Sequence, residues 1–488
     1  MTGASTTAST SLESQQTTSD VALRPTNVRF GVLGLLCGLS MITYIDRVCF
    51  ASAASGITRD FGLSGQEQLK WAYTAFAIAY GLFELPAGWL GDRLGPRSTL
   101  LRIVIWWSLF TAATGLVGLK FGSLTLGGLT TLIVIRFLFG AGEAGAYPNI
   151  TRAIHNWFPM KNWETAQGYI WMSGRIAGGV TPLVWAILVS GTTFSTPLLN
   201  WRGAFLFFCG LGLVWCVVFA WWFRDQPANH PAVNAAEREL IGSTWTPHSH
   251  SNIPVKAMLK NRSLWALCLM YSLINYGWFF NVSYFPSYLK DRFQLSEGDL
   301  LGAVYAGAPL WVGAIGCISG GIIIGFIAER IGDRRRARQI VGCTAMLVCA
   351  LSWWSVYQAK SIHQFCISIS LAALCVDLTL GAAWATCQDL GRQHAAVTGA
   401  LMNTVGTVGS SLAAWLTGEI VQRYVKQAAA SGTEALTAAE KYTASMAGYQ
   451  AVFFTYASVY VIAALCWCFI NASKPLEPEQ AAPQVGGH

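Results

Sequence analysis

The chain has 488 residues, of which 53% are hydrophobic and only 11% are charged, with a formal net charge of +8. A soluble domain carries roughly 25% charged residues, so the composition excludes a soluble multidomain enzyme. Most of the basic residues occur in loops that would lie on the same side of a membrane. The positive charge therefore indicates membrane topology rather than nucleic-acid binding.

Apolar windows of spanning length follow a Ser/Thr-rich segment, residues 1–29, which we predict to be a disordered cytoplasmic tail. A helix needs about 20 apolar residues to cross a bilayer, where only helices or closed barrels satisfy the backbone. The windows predict an all-α polytopic membrane protein with twelve transmembrane helices, at 30–54, 69–90, 99–119, 127–150, 164–190, 202–223, 263–289, 300–328, 338–358, 363–386, 395–421 and 448–470.

A repeated loop divides the chain into two pseudo-symmetric halves of six helices. Gly88–Arg97 reads GWLGDRLGPR, and Gly325–Arg334 reads GFIAERIGDR at an offset of about half the chain. Two like halves are typical of transporters. The predicted units are an N-terminal half (30–223), a cytoplasmic linker (224–262), a C-terminal half (263–470) and a cytoplasmic tail (471–488). The excess of basic residues in the loops on one side predicts that both termini are cytoplasmic. The predicted location is the cell membrane.

Ionisable residues within the spans are functional candidates, because each costs about 2.5–3.5 kcal/mol to insert. Arg136 and Glu143 lie two helical turns apart and share one face of the fourth span. Asp46 and Arg47 are adjacent and diverge by about 100°, so one can face a central cavity while the other reaches a neighbouring helix. The guanidinium of Arg47 suits a substrate carboxylate. Asp46 and Glu143 are candidate proton sites, and Arg136 would control the protonation of whichever carboxylate it faces.

Several motifs together resemble one branch of a known transporter family. They are the repeated loop, Tyr44–Arg47 (YIDR), Arg136–Pro148 (RFLFGAGEAGAYP), Trp157–Pro159 (WFP) and Ala166–Gly168 (AQG). The chain thereby resembles the anion:cation symporters of the major facilitator superfamily, which include bacterial hexuronate, galactonate, glucarate and phthalate permeases.

The resemblance implies the superfamily fold and roles for individual residues. It associates the positions of Asp46 and Glu143 with protonation and that of Arg47 with the substrate. It also places an aromatic and an amide, here Trp384 and Asn403, against substrate hydroxyls. Further candidate substrate contacts are Tyr44, Tyr80 and Gln167.

Other charged residues receive different predictions. Asp92, Arg93, Glu329 and Arg330 occur in the repeated loop, where we expect charge pairs that hold the halves together on the cytoplasmic side. The roles of three further charges stay open. Glu84 could be an additional proton site or a gate residue, Asp377 could pair with a basic residue across the bundle, and Arg175 belongs to a turn common in the branch.

The expected function is proton-coupled symport of an organic anion into the cell by alternating access, with a sugar acid such as hexuronate, galactonate or glucarate as the substrate. Sodium coupling or facilitated diffusion of another carboxylate, such as phthalate or tartrate, is the alternative, and a sugar-acid sensor is a more distant one. We expect no enzymatic activity, since the sequence contains no nucleophile–base or metal constellation. No cofactor, metal or nucleic-acid partner is expected. The predicted partners are the organic anion, protons and the lipid bilayer, and the predicted state is a monomer.

Overall fold

The computed structural model describes residues 24–63, 69–121, 124–190, 196–242, 254–293, 300–430, 437–473 and 475–476. Most of the two predicted tails therefore lies outside the described residues. Residues 24–29 are described, and the first helix begins at Val28, two residues before the predicted span.

The N-terminal half consists of six helical passes. A break at Gly145, whose φ of +84° favours glycine, divides the fourth pass into two helices. The fifth pass ends in a π-helical turn, Ala186–Ser190. A short antiparallel hairpin with two residues in each strand connects the third and fourth passes. The elements are α1 (Val28–Asp60), α2 (Lys70–Leu94), α3 (Pro96–Leu116), β1 (Lys120–Phe121), β2 (Leu124–Thr125), α4 (Leu129–Glu143), α5 (Ala146–Trp157), α6 (Trp163–Trp185) and α7 (Trp201–Trp222).

Two short helices, α8 (Ala235–Ile241) and α9 (Val255–Lys260), lie between the halves. The fully buried carboxylate of Glu237 accepts hydrogen bonds from the backbone N–H groups of Val28 and Arg29 and pairs with the Arg29 side chain at 2.9 Å. A carboxylate at these free N–H groups satisfies them and complements the helix dipole. Helix α8 is thus fixed to the start of α1.

The C-terminal half repeats the arrangement with six further passes. α10 continues after Tyr284 into α11, as α4 continues into α5. The elements are α10 (Arg262–Ser283), α11 (Phe285–Phe293), α12 (Leu300–Ile331), α13 (Arg334–Gln358), α14 (Ile362–Gly391), α15 (Ala395–Ala430) and α16 (Ala438–Phe469).

Each of the twelve predicted windows coincides with one helical pass of the described chain. Ten stretches are long and apolar enough to cross a membrane by length and composition alone. That count treats Ile362–Ala430 as one stretch although it contains α14 and α15, and it omits α2. The predicted all-α polytopic membrane fold is confirmed. The number of twelve membrane spans and the bounds of the two halves stay predictions.

The halves contact each other along two symmetry-related seams, α2 against α15 and α6 against α12 and α14. Glycines allow close approach in both seams. A Cβ at Gly88 of α2 would lie 2.7 Å from Cβ of Ala400, and one at Gly168 of α6 would lie 2.3 Å from the carbonyl oxygen of Cys317. Small residues let helix backbones meet in this way where lipid offers no hydrophobic driving force.

Candidate functional site

A cavity of about 320 Å³ lies between the two halves. Both halves contribute polar and aromatic side chains to its wall. They include Tyr44, Arg47, Tyr80 and Arg175 from the N-terminal half and Trp278 and Asn403 from the C-terminal half. A concave site with a few converging polar groups at the repeat interface is the expected location for a transported substrate.

Arg47 forms an ion pair with Glu143 at the cavity wall. Its Nε donates to Oε1 of Glu143 at 2.5 Å, and its guanidinium lies 4.9 Å from the ring centroid of Tyr80. The Arg47 side chain is 32% exposed, whereas that of Glu143 is 1% exposed. The cation is therefore accessible to a ligand while its carboxylate partner is not. Oε2 of Glu143 has no hydrogen-bond partner among the described residues.

Asp46 points away from Arg47, as expected for neighbours on one helix. It is buried, does not line the cavity, and interacts electrostatically with Glu143 and Arg136. The Arg136 guanidinium lies 4.2 Å from the ring centroid of Phe50 and 4.5 Å from that of Phe139. Arg136 forms no direct ion pair within the described part of the chain, so it interacts with Asp46 and Glu143 only at longer range.

Arg175 and Asp377 join the two halves beside the cavity. Nε and Nη2 of Arg175 each donate to one Asp377 oxygen at 2.8 Å, and Nη1 donates to the Tyr44 hydroxyl at 2.7 Å. The guanidinium also lies 3.9 Å from the ring centroid of Trp278. The basic partner expected for Asp377 is thus Arg175, 202 residues away.

A second polar link between the halves involves Glu84. Its Oε1 accepts a hydrogen bond from Nδ2 of Asn403 at 2.6 Å, and the same nitrogen lies 3.2 Å from the Tyr80 hydroxyl. Tyr80 and Asn403 line the cavity, whereas Glu84 is fully buried behind them.

Two predicted substrate contacts do not line the cavity in this conformation. Trp384 is fully buried in an aromatic layer beneath it, where its Nε1 donates to the Tyr271 hydroxyl at 3.3 Å and its ring lies 5.7 Å from that of Trp171. Gln167 is also buried and donates to the hydroxyl of Thr151 at 3.0 Å. The substrate roles of Trp384 and Gln167 stay predictions.

The face that carries both copies of the repeated loop, here called the basic face, is closed. The Asp92 carboxylate accepts the N–H groups of Ala396 and Val397 at 3.1 and 2.8 Å, in the first turn of α15. Arg152 lies 3.8 Å from Asp92 and donates to the carbonyl oxygen of Arg392 at 2.9 Å. Asp92 therefore connects the two halves on this face, and its gating role stays a prediction.

The other three predicted gating residues lie differently. Arg93, Glu329 and Arg330 are exposed. The Arg93 guanidinium lies 5.3 Å from the ring of Trp89, and that of Arg330 lies 4.4 Å from the ring of Phe326. Both aromatic neighbours belong to the same helix as the arginine, so these contacts do not bridge the halves.

A buried charge network that the sequence pattern did not reveal closes the second seam, α6 against α12 and α14. Glu164 of α6 pairs with Arg334 at 2.6 Å and with Arg338 at 2.7 Å, both from α13. Arg338 also pairs with Asp389 of α14 at 2.5 Å. These residues stand at the edges of the apolar windows, where a charge resembles an ordinary loop residue. The paired acids and bases at facing span ends were the available signal.

Part of the cavity wall was also missed. Tyr271, Asn275 and Trp278 of α10 all line the cavity. Their spacing of four and three residues places them on one helix face, and this spacing was the signal in the sequence. Across the described residues, no group of three or more His, Cys, Asp or Glu side chains is arranged to hold a metal ion.

Comparison with known proteins identifies the family. Residues 36–414 match the Major Facilitator Superfamily. The chain belongs to this superfamily. It is a multi-pass membrane transporter and not an enzyme.

Curated relatives extend over most of the chain. It is 30% identical over 402 residues to the "Probable sulfoacetate transporter SauU" of Cupriavidus necator, covering 81% of this chain and 88% of that one. It is 27% identical to the "Hexuronate transporter" of Bacillus subtilis (77% and 85% covered). It is 28% identical to the "Probable galactarate/D-glucarate transporter GudP" of Escherichia coli (83% and 90% covered).

A solved structure supports the fold. The proton:xylose symporter XylE superposes with a TM-score of 0.67 at 14% identity, covering 91% of this chain and 96% of that chain. At this identity the likeness concerns the fold alone.

Proposed function

We propose that this superfamily member is a proton-coupled symporter of a small organic anion, with sugar acids as the substrate class. The observation that carries the proposal is the Arg47–Glu143 pair, in which an accessible guanidinium at the cavity wall is held by a buried carboxylate. Such a pair can exchange its carboxylate partner for that of a substrate. Arg47 would then bind the substrate acid group through two parallel hydrogen bonds.

Proton coupling follows from the cost of breaking this pair. If an anion takes Arg47 from Glu143, the buried carboxylate is left unpaired, and an unpaired buried charge is strongly unfavourable. Protonation of Glu143 removes that charge, so that proton binding and anion binding favour each other. Asp46 is a second buried carboxyl group, and both it and Glu143 interact electrostatically with Arg136. In this proposal Arg136 influences the ionisation of both.

The rest of the cavity supports a small hydroxylated acid. The hydroxyls of Tyr44 and Tyr80 and the amide of Asn403 provide hydrogen-bonding groups close to Arg47 and Arg175. The volume of about 320 Å³ suits a small ligand. Three relatives are named for sulfoacetate, hexuronate and galactarate/glucarate, which are all small anions.

Transport would proceed by alternating access between the halves. We place the protein in the cell membrane, with the basic face and both termini in the cytoplasm, because basic loops remain on that side. The proposed transporting unit is a monomer. Asp92, Arg152 and the Glu164 network would open when the substrate is released. Arg93, Glu329 and Arg330 remain proposed contributors to that gating in the basic-face-open state.

The test is substrate-dependent proton movement in proteoliposomes that contain a pH-sensitive dye. The panel comprises sulfoacetate, glucarate, galactarate, galactonate, glucuronate, tartrate and phthalate, each added outside with and without a sodium gradient. Acidification of the lumen by one acid, lost in Asp46→Asn and retained in the exposed control Arg59→Lys, supports proton symport. Uptake of radiolabelled acid without acidification contradicts proton coupling, and a sodium requirement would replace it.

A further inference from the structure

One stripe of α2 faces α15 along the whole basic side of the cavity. Tyr80, Glu84, Gly88 and Asp92 follow one another at intervals of four residues, which places them on a single helix face. From the cavity towards the basic face, Tyr80 and Glu84 contact Asn403, Gly88 contacts Ala400 and Ala396, and Asp92 accepts the N–H groups of α15.

Glu84 is a buried carboxyl group without a counter-charge of its own. It is 0% exposed, it has no ion pair among the described residues, and its Oε2 accepts no hydrogen bond there. The groups that face it from the surrounding helices are Arg47 of α1, Glu143 of α4, Tyr271 of α10 and Asn403 of α15, with Tyr80 on its own helix. Arg47 is already paired with Glu143.

Glu84 is closed off in both directions. On the cavity side, the side chains of Tyr80 and Asn403 form the wall in front of it. On the basic side, α2 and α15 approach so closely that a Cβ at Gly88 would lie 2.9 Å from the carbonyl oxygen of Ala396. Water can therefore reach Glu84 from the basic face only after α2 and α15 have separated.

The seam itself does not need a carboxyl group at this position. At the offset of 237 residues that relates Gly88 to Gly325, Glu84 corresponds to Gly321 of α12. In the other seam, a Cβ at Gly321 would lie 2.6 Å from Cα of Thr165, so that seam closes by direct backbone contact. One seam thus closes on a glycine and the other closes on an acid that burial penalises when ionised.

We infer that Glu84 is a proton-binding site served from the basic face alone, and that it must hold a proton for the basic face to close. The protonated carboxyl group is neutral and remains bonded to Asn403 in the closed seam. When α2 and α15 separate, Glu84 releases the proton to water on the basic side and takes one up there before the seam closes again. The proton is not carried across the membrane, so Glu84 differs in role from Asp46 and Glu143.

The role of Glu84 in the transport cycle rests on the proposed function. Its protonation before the basic face closes does not, because that step takes place in the substrate-free protein. Above the pH at which Glu84 ionises in the open state, each further pH unit lowers the protonated fraction about tenfold. Closure should therefore weaken at alkaline pH, and replacement of the carboxyl group by an amide should remove that weakening. The other acid in this seam, Asp92, has Arg152 and two N–H groups as partners, and it is intact in the test variant.

The experiment measures amide hydrogen exchange by mass spectrometry on purified substrate-free protein, at about pH 6 and about pH 9, with each variant compared with the wild type at the same pH. The variant is Glu84→Gln, and the matched control is Glu239→Gln, an exposed acid of the linker. We expect 84–92 and 396–403 to exchange faster in the wild type than in Glu84→Gln at the higher pH only. Equal exchange at both pH values, or a difference of the same size at both, overturns the inference.

A second measurement addresses the proton directly. Infrared difference spectra between wild type and Glu84→Gln near neutral pH should contain the carbonyl band of a protonated carboxylic acid. A carboxylate band in its place overturns the inference. Neither readout uses a transported acid, so failure of the proposed substrate class would leave both results interpretable.

Discussion

Arg175 of α6 and Asp377 of α14 form a two-point ion pair across the two halves of the transporter, with both donor–acceptor distances at 2.8 Å. The side chains are 5% and 0% exposed. The pair lies beside the cavity because Arg175 also lines its wall and donates to Tyr44. A substrate that moves Tyr44 would therefore act on an ionic link between the halves.

Replacing one partner of the Arg175–Asp377 pair should lower the stability of the protein more than replacing both. Asp377→Asn leaves Arg175 buried without its counter-charge, and breaking a buried pair in this way costs about 3–5 kcal/mol. The double variant Arg175→Gln/Asp377→Asn removes both charges and should recover much of that loss. Thermal unfolding of the purified protein in detergent measures the difference.

The matched control for this pair is Arg336→Gln, which alters a 72% exposed arginine paired with Asp333. An exposed pair contributes about 0–1 kcal/mol, so this variant should unfold close to the wild type. A double variant that is less stable than Asp377→Asn would contradict the interpretation of Arg175 and Asp377 as mutually neutralising.

Arg47→Lys tests the substrate anchor. Lysine keeps the positive charge but loses the planar fork that can bind a carboxylate through two hydrogen bonds. Loss of one charged hydrogen bond, about 1.5–3 kcal/mol, corresponds to a roughly 10- to 150-fold weaker apparent affinity. The apparent affinity is measured by how well the unlabelled acid, the one that the proteoliposome panel identifies as the substrate, competes with counterflow of the labelled acid. An unchanged affinity would remove Arg47 from the substrate site.

Glu143→Gln tests the proton linkage. The amide cannot ionise, so anion binding at Arg47 no longer requires a proton. We expect one-for-one exchange of labelled substrate to continue while acidification of the lumen decreases or disappears. Anion affinity should also become less dependent on pH than in the wild type. Full proton movement in this variant would assign coupling to another carboxylate.

Glu164→Gln tests the network that closes the second seam. It leaves Arg334 and Arg338 with Asp389 as their remaining acid partner among the described residues. Closure of the basic face should weaken, and amide exchange should increase in 152–158 and 388–394 relative to the wild type. Glu239→Gln again provides an exposed acid as the control. Unchanged exchange would show that this network does not hold the face closed.

The sequence by itself determined the elements and their repetition. The twelve apolar windows match the twelve helical passes because a bilayer permits few alternatives to a helix of that length. The repeated loop marks the two halves, and the cost of charges in a membrane makes Asp46, Arg47, Arg136 and Glu143 functional candidates from the sequence alone.

The tertiary structure alone decided which charges meet. Lipid-facing and buried sides of a membrane helix are both apolar, so hydrophobic periodicity does not reveal which side faces the partner helix. The partners are also far apart in sequence, with 202 residues between Arg175 and Asp377 and 319 between Glu84 and Asn403. The pairing of Arg47 with Glu143, rather than of Arg136 with Glu143, depends on how α1 and α4 are rotated against each other. That rotation is set by packing of the whole bundle, which no local pattern in the chain records.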